Sequence, residues 1–399
     1  MVVPNQVPGL NYTATPAKEL ADVPDAPLCT PTQPDPFIEC VTNALRWTRA
    51  NASTIRGFSG VGWFTGAAVL KAAIAAKSAD AAVPLGLLRS SWGGTRVEAW
   101  SGPAAIAACP AQTGAGNGVS TLWANMIMPF RGLSFRAYTF YQGESNVGAD
   151  GIPWTGARYY SCALPAMLRD LREVLELPKL PIMAVELAAY CNDHDYRTHL
   201  TWCDEPQSVL NGTDYHLPAL RLAQASAAQL VDDVYTIANL DLGSLHAPHG
   251  SIHSVPKDKL GARLALAIRA SASANSTVVW AGPAAASVEP AAGGKLVVRF
   301  NVSEAADGLV LSGSESCPST MMRIFCTGAG FEARGSDGVW LPVKRATADH
   351  DRTSIVLEVV AKADRVRYAY ADWPLAMVRN RVGGLPARLF DMAVVDVDR

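Results

Sequence analysis

Gln142, Gly143, Glu144, Ser145 and Asn146 stand just beyond a strand-like run, Phe135 to Phe140. An amide, a carboxylate and a second amide around a glycine make poor core material. They are well suited to holding a developing negative charge or a polar substrate. Two further segments share that character. Ser90-Ser91-Trp92-Gly93-Gly94-Thr95 follows the apolar run Pro84 to Leu88, and Gly250-Ser251-Ile252-His253 precedes a helix-like stretch. All three lie at element ends, where α/β enzymes gather their chemistry.

Each residue has a chemical reading and a plainer one. His253, in a polar loop before a helix, suits a general base, which needs a pKa near neutrality. His246 and His249 lie close by, but Gly250 breaks the helix face that a three-histidine metal site would need, so no metal is expected. Gly93 and Gly94 have no side chains to block approach, so their backbone N–H groups can serve an oxyanion. The alternative is a tight turn. Gln142 can donate its side-chain amide to the same charge, with Glu144 and Asn146 as supports or substrate contacts. Gly143-Glu144-Ser145 begins like a nucleophile elbow, but Val147 stands where the closing glycine belongs and loop residues follow, so Ser145 is not read as the nucleophile. Ser90 and Ser91 fare little better. Arg221 and Gln224 share a helical face, three residues apart. They read as a salt bridge and a hydrogen bond, or, for Arg221, as a bidentate partner of a sugar carboxylate. Glu98 and Trp100 buttress the glycine loop.

The chain has 399 residues, enough for about two domains with full cores. Its 34 basic and 36 acidic residues nearly balance, which argues against nucleic acid or an anionic membrane surface as partner. No apolar run reaches the roughly 18 residues of a membrane span. Eight cysteines, with no CxxC pair, and Asn-X-Ser/Thr sequons at Asn11, Asn51, Asn211, Asn275 and Asn301 point to an oxidising compartment rather than to zinc. Cys191 with Cys203 and Cys317 with Cys326 are plausible local pairs, among about 100 possible connectivities. Met1 to Leu10 has neither the basic nor the apolar region of a signal peptide.

These segments must be positioned by a scaffold. Residues 1–55, rich in Pro, Asn, Asp and Thr, read as an irregular approach. From 56 to 274, strands and helices alternate. Helices are expected over 61–76, 121–130, 158–177, 217–230 and 258–270, and strands over 84–89, 135–141, 181–188 and 234–241. That alternation predicts a three-layer α/β domain on a parallel sheet. From 275 to 399 the period changes to two, with Gly- and Asp-rich turns, which predicts an all-β, sandwich-like appendage.

An ordered set of motifs resembles the sialate O-acetylesterase family, a branch of the SGNH hydrolases, from about residue 40 onward. The set comprises Phe58 to Phe64, Ser90 to Trp100, Trp123 to Ile127, Tyr141 to Asn146, Leu220 to Gln224, Ile252-His253, Arg367 to Tyr370 and Gly384 to Ala387. The resemblance implies a flavodoxin-like, SGNH-hydrolase-like sheet and a secreted or lysosomal esterase. Such an enzyme removes acetyl from O-acetylated sugars or sialoglycans and needs no cofactor. His253 would be the base, Gly93, Gly94 and Gln142 would bind the oxyanion, and Thr95, Glu144, Asn146, Ser251 and Arg221 would contact or support substrate. The family's nucleophilic serine lies in an N-terminal Gly-Gln-Ser-Asn-like block, which these 399 residues do not contain. One economical expectation is an N-terminally truncated chain, inactive as it stands. The alternatives are a non-catalytic carbohydrate-binding or interaction paralogue and an acetyl xylan esterase of the same fold. Two departures are visible: Ser254 replaces the family's usual Pro after the histidine, and Ser251 stands where many relatives carry an acid.

Overall fold

A computed structural model describes residues 47–109, 118–152, 154–190, 216–244, 247–248, 250–273, 275–301, 307–311, 328–350 and 352–395. By contact the described residues divide into two units. One comprises residues up to Val185, Ala223–Thr236 and Lys257–Ser273; the other comprises Glu186–Leu222, Ile237–Pro256 and Ala274 onward. This division does not follow the single boundary near residue 274 expected from the change of period. Residues 1–46 of the 1–55 segment lie outside the described residues.

The first unit holds α1 (Gly60–Ala75), α2 (Pro103–Ala108), α3 (Thr121–Met126), β1 (Tyr138–Phe140), α4 (Ala157–Val174) and β2 (Ile182–Val185). Ser59 caps α1, its hydroxyl accepting the Gly62 N–H at 3.1 Å. α4 buries Tyr160, Leu164, Met167, Leu168 and Leu171, the helical stripe that the leucine spacing predicts. Cys109 and Cys162 form a disulfide that ties the end of α2 to α4. The two local pairings expected from sequence lie outside the described residues.

From Ala223 onward α5 (His216–Leu230) belongs to this unit, as do β3 (Val234–Ile237) up to Thr236 and α6 (Lys257–Ala270). The three strands form one sheet in the order β1-β2-β3, with β1 parallel to β2 and Tyr138 opposite Ile182. β2 is buried at every position, as expected of a strand covered on both faces. α1 packs on α6, where Gly261 is essential: a Cβ there would lie 2.6 Å from the Phe64 backbone carbon. The expected strand over 84–89 does not form beyond an isolated bridge at Arg89. Strands need lateral partners for their backbone groups. Pro84 to Leu88 join no strand ladder among the described residues, and Val83 and Leu85 stay exposed.

The second unit is predominantly β. Its strands are β4 (Ala285–Ala291), β5 (Lys295–Phe300), β6 (Leu309–Leu311), β7 (Phe331–Gly335), β8 (Trp340–Pro342), β9 (Arg345–Ala348), β10 (Ser354–Glu358), β11 (Ala363–Tyr368), β12 (Val378–Asn380) and β13 (Phe390–Ala393). They make two antiparallel sheets, β4-β5-β10-β9 and β13-β11-β7-β8, and a β12-β6 pair. Val288, Val298, Ile355 and Leu357 from one sheet share a core with Phe331, Val366, Tyr368 and Phe390 from the other. This is the all-β C-terminal region that the two-residue period predicts.

Candidate active site

The chain leaves the C-terminal end of β1 through Tyr141 and Gln142 and turns at Gly143, whose φ of 142° and ψ of −21° exclude side-chain-bearing residues. A single helical turn, Glu144–Asn146, follows. It delivers Asn146 into the interior, where none of its surface is exposed. There its side-chain oxygen accepts the Val97 N–H at 2.9 Å and the Gln142 amide at 2.7 Å. Its amide donates to the Trp154 carbonyl at 2.8 Å and to a Glu98 carboxyl oxygen at 3.3 Å. Asn146 therefore bolts the turn after β1 to the buried helical turn Val97–Trp100 that follows the glycine loop.

Gln142 makes the second bolt. Besides its bond to Asn146, its amide donates to the Thr95 carbonyl at 3.1 Å. Its side-chain oxygen lies 2.9 Å from the Tyr160 hydroxyl, and its backbone carbonyl accepts from Gln224 at 2.9 Å. Both amide hydrogens are thus engaged within the protein. The expectation of an oxyanion donor in the Gln142 side chain is corrected on that ground: in this arrangement the amide positions the loop. Thr95 is likewise internal to its loop, donating to the Trp92 carbonyl at 2.7 Å and accepting from the Trp100 indole at 2.9 Å.

Gly93 and Gly94 remain open. Both are exposed, Gly94 has a φ of +70°, and a Cβ on either would meet nothing within 4 Å. A group can approach this backbone closely, as oxyanion binding requires. Ser90 is occupied by a bond to the Met126 carbonyl at 2.8 Å, and Ser91 accepts from Arg89.

Glu98 is the feature that sequence reasoning read only as a buttress. Its side chain is wholly buried, and one carboxyl oxygen has no hydrogen-bond partner among the described residues. Burial raises its pKa above the ordinary 4.5, opposed by bonds to the backbone and Asn146 and by the Arg96 charge. A carboxyl raised in the native state favours its protonated form there. Stability should then fall as pH rises from the ordinary carboxylate range through the raised value. Glu98→Gln should abolish that slope and be at least as stable at pH 7; urea unfolding of both proteins across pH 4–8 tests this. Tyr160 and Gln224 were missed as partners of Gln142 because nothing local in the sequence links α4, α5 and the end of β1.

Ser251, His253 and Arg221 belong to the second unit. His253 is exposed and closes a turn, its N–H donating to the Gly250 carbonyl at 3.0 Å, with α6 beginning at Lys257. Ser254, the departure from the family's usual Pro, is buried and donates its hydroxyl to the Leu242 carbonyl, which pins this loop. Ser251 is half-buried. His246 and His249 lie outside the described residues. Arg221 is wholly buried, and its guanidinium donates to the carbonyls of Leu187, Ala188, Ala371 and Asp372 at 2.7–3.0 Å. The carboxylate-binding reading of Arg221 is therefore corrected: its donors face backbone.

Ligand sites of open α/β sheets lie beyond the carboxyl ends of the strands, and the turn at Gly143 stands beyond that end of β1. Residues 22–268 match the family described as carbohydrate esterase, sialic acid-specific acetylesterase, and the chain belongs to that family. Human sialate O-acetylesterase is 28% identical over 228 residues, 52% of this chain and 39% of that protein. The rat sialate O-acetylesterase is 24% identical over 342 residues, 73% of this chain and 56% of that one. The chain thus spans well under two thirds of the curated relatives it matches. Its fold is shared with the crystal structure of XAC1771, a carbohydrate acetylesterase from Xanthomonas citri, at a TM-score of 0.65 and 22% identity. That likeness covers 98% of this chain and 72% of the other.

Proposed function

We propose that the chain serves a carbohydrate O-acetylesterase that acts on O-acetylated sialic acid. The observation that carries this reading is the match of residues 22–268 to the sialic acid-specific acetylesterase family. The glycine turn over the Asn146 network supplies a matching physical basis. In the mechanism, a serine attacks the acetyl carbonyl, His253 takes its proton, and the Gly93-Gly94 backbone holds the oxyanion. Gln142, Asn146 and Glu98 hold the loop in place. Water then releases acetate. The scaffold is read as a three-layer SGNH-hydrolase-like sheet. A secreted or lysosomal location is supported by the Cys109–Cys162 disulfide and by the exposure of the sequon residues Asn51, Asn275 and Asn301.

The second reading is a non-catalytic carbohydrate-binding protein, and the 399-residue chain, which contains no Gly-Gln-Ser-Asn-like block, tests it directly. The 399-residue chain should therefore release acetate from aryl acetates and from 9-O-acetylated sialic acid no faster than its His253→Ala variant. Clear His253-dependent turnover would refute the expectation of an inactive chain. Saturation-transfer NMR with 9-O-acetylated sialic acid and acetylated xylo-oligosaccharide tests the substrate. Binding of the sialic acid alone supports this reading; binding of the xylan fragment alone supports an acetyl xylan esterase.

A further inference from the structure

An anionic sugar calls for a cation, and Arg221 cannot be it. Lys257, the first residue of α6, has the properties that Arg221 lacks. It is half-buried, with its aliphatic stem against the start of α1: a Cβ on Gly60 would lie 3.7 Å from its Cγ. Its ammonium lies over the Tyr141 ring, 5.2 Å from the centroid, at the end of β1 beside the Gln142 turn. Among the described residues it has no hydrogen-bond acceptor and no carboxylate within ion-pair distance. Burial lowers its pKa, with the Glu144 charge opposing that shift in part. A cation in the first turn of a helix also works against the helix dipole. A partly desolvated ammonium with an aromatic face beneath it, acted on by the Glu144 charge but paired directly with no carboxylate among the described residues, can take an incoming anion. Arg96, the other cation at this turn, has its Nε on the Ser145 carbonyl at 3.1 Å.

We propose that Lys257 binds the carboxylate of the sialic acid and so determines specificity for acidic over neutral sugars. This rests on the sialate reading of the preceding subsection. The test compares binding of the methyl glycoside of sialic acid and of its carboxyl methyl ester to the 399-residue protein and to Lys257→Gln and Lys257→Arg, by calorimetry. Thermal melts confirm that the variants fold. The protein should prefer the acid by about 10- to 100-fold, the range expected of one charge-assisted contact. Lys257→Gln should collapse that preference towards unity while leaving the ester's affinity in place, and Lys257→Arg should restore part of it. An undiminished preference in Lys257→Gln would overturn the proposal and turn attention to Arg96. Equal affinity of the unaltered protein for acid and ester would overturn it while leaving the esterase reading intact. Binding of neither ligand would sink the sialate reading itself and this proposal with it.

Discussion

Arg221→Ala is expected to destabilise the protein by about 4 kcal/mol or more, among the largest effects of any single substitution. Four backbone carbonyls, those of Leu187, Ala188, Ala371 and Asp372, accept from this guanidinium. Each hydrogen bond to a charged group contributes roughly 1.5–3 kcal/mol, less than additively, and a carbonyl that loses its only donor adds a desolvation penalty, which spares Asp372 because its carbonyl also accepts the Tyr190 N–H. Lysine should not rescue the variant, since one ammonium cannot reproduce the planar fork. Urea unfolding gives the number. An arginine that bound substrate would behave in the opposite way, with stability preserved and affinity lost, so a variant of normal stability would reject the structural role.

Asn146→Ala should cost about 3–5 kcal/mol, measured the same way. The loss strands the Val97 N–H and the Trp154 carbonyl inside the protein and frees one hydrogen of the Gln142 amide. It also removes a donor from Glu98, which already carries an unpartnered oxygen. Asn146→Asp preserves the shape but sets a second carboxyl against Glu98, which should push one of the pair further towards protonation. If Asn146→Ala unfolds at the same urea concentration as the unaltered chain, the network is not what holds the glycine loop. The site would then have to be anchored elsewhere.

The elements that sequence periodicity located are those whose determinants are local. The leucine spacing of 164, 168, 171 and 175 places α4 within a few residues of where it lies, and the alternation over 295–301 and 354–360 gives β5 and β10. The strand over 84–89 did not form because an apolar run specifies burial, whereas a strand also needs a regular ladder, which an isolated bridge at Arg89 does not supply. For the site, residue types were legible and roles were not. Gln142 and Arg221 were rightly singled out as polar groups in unusual places. Whether a donor points to a ligand or to a carbonyl depends on residues far away in sequence, such as Tyr160 for the first and Ala371 for the second. Lys257 was passed over because a lysine at a helix start looks like surface, and only the fold sets it over Tyr141.

The packing of α1 on α6 has a consequence for how the chain is made. α1 carries apolar residues around much of its circumference, and Phe64, Leu70 and Ile74 stay partly exposed even in the finished structure. Its partner helix is encoded far downstream, after β1, β2 and β3. As the polypeptide emerges from the ribosome, α1 therefore waits through most of the synthesis of its unit before Gly261 arrives to receive it. A chain ending before Lys257 would leave that surface uncovered, and the exposed apolar face favours aggregation until α6 has left the ribosome.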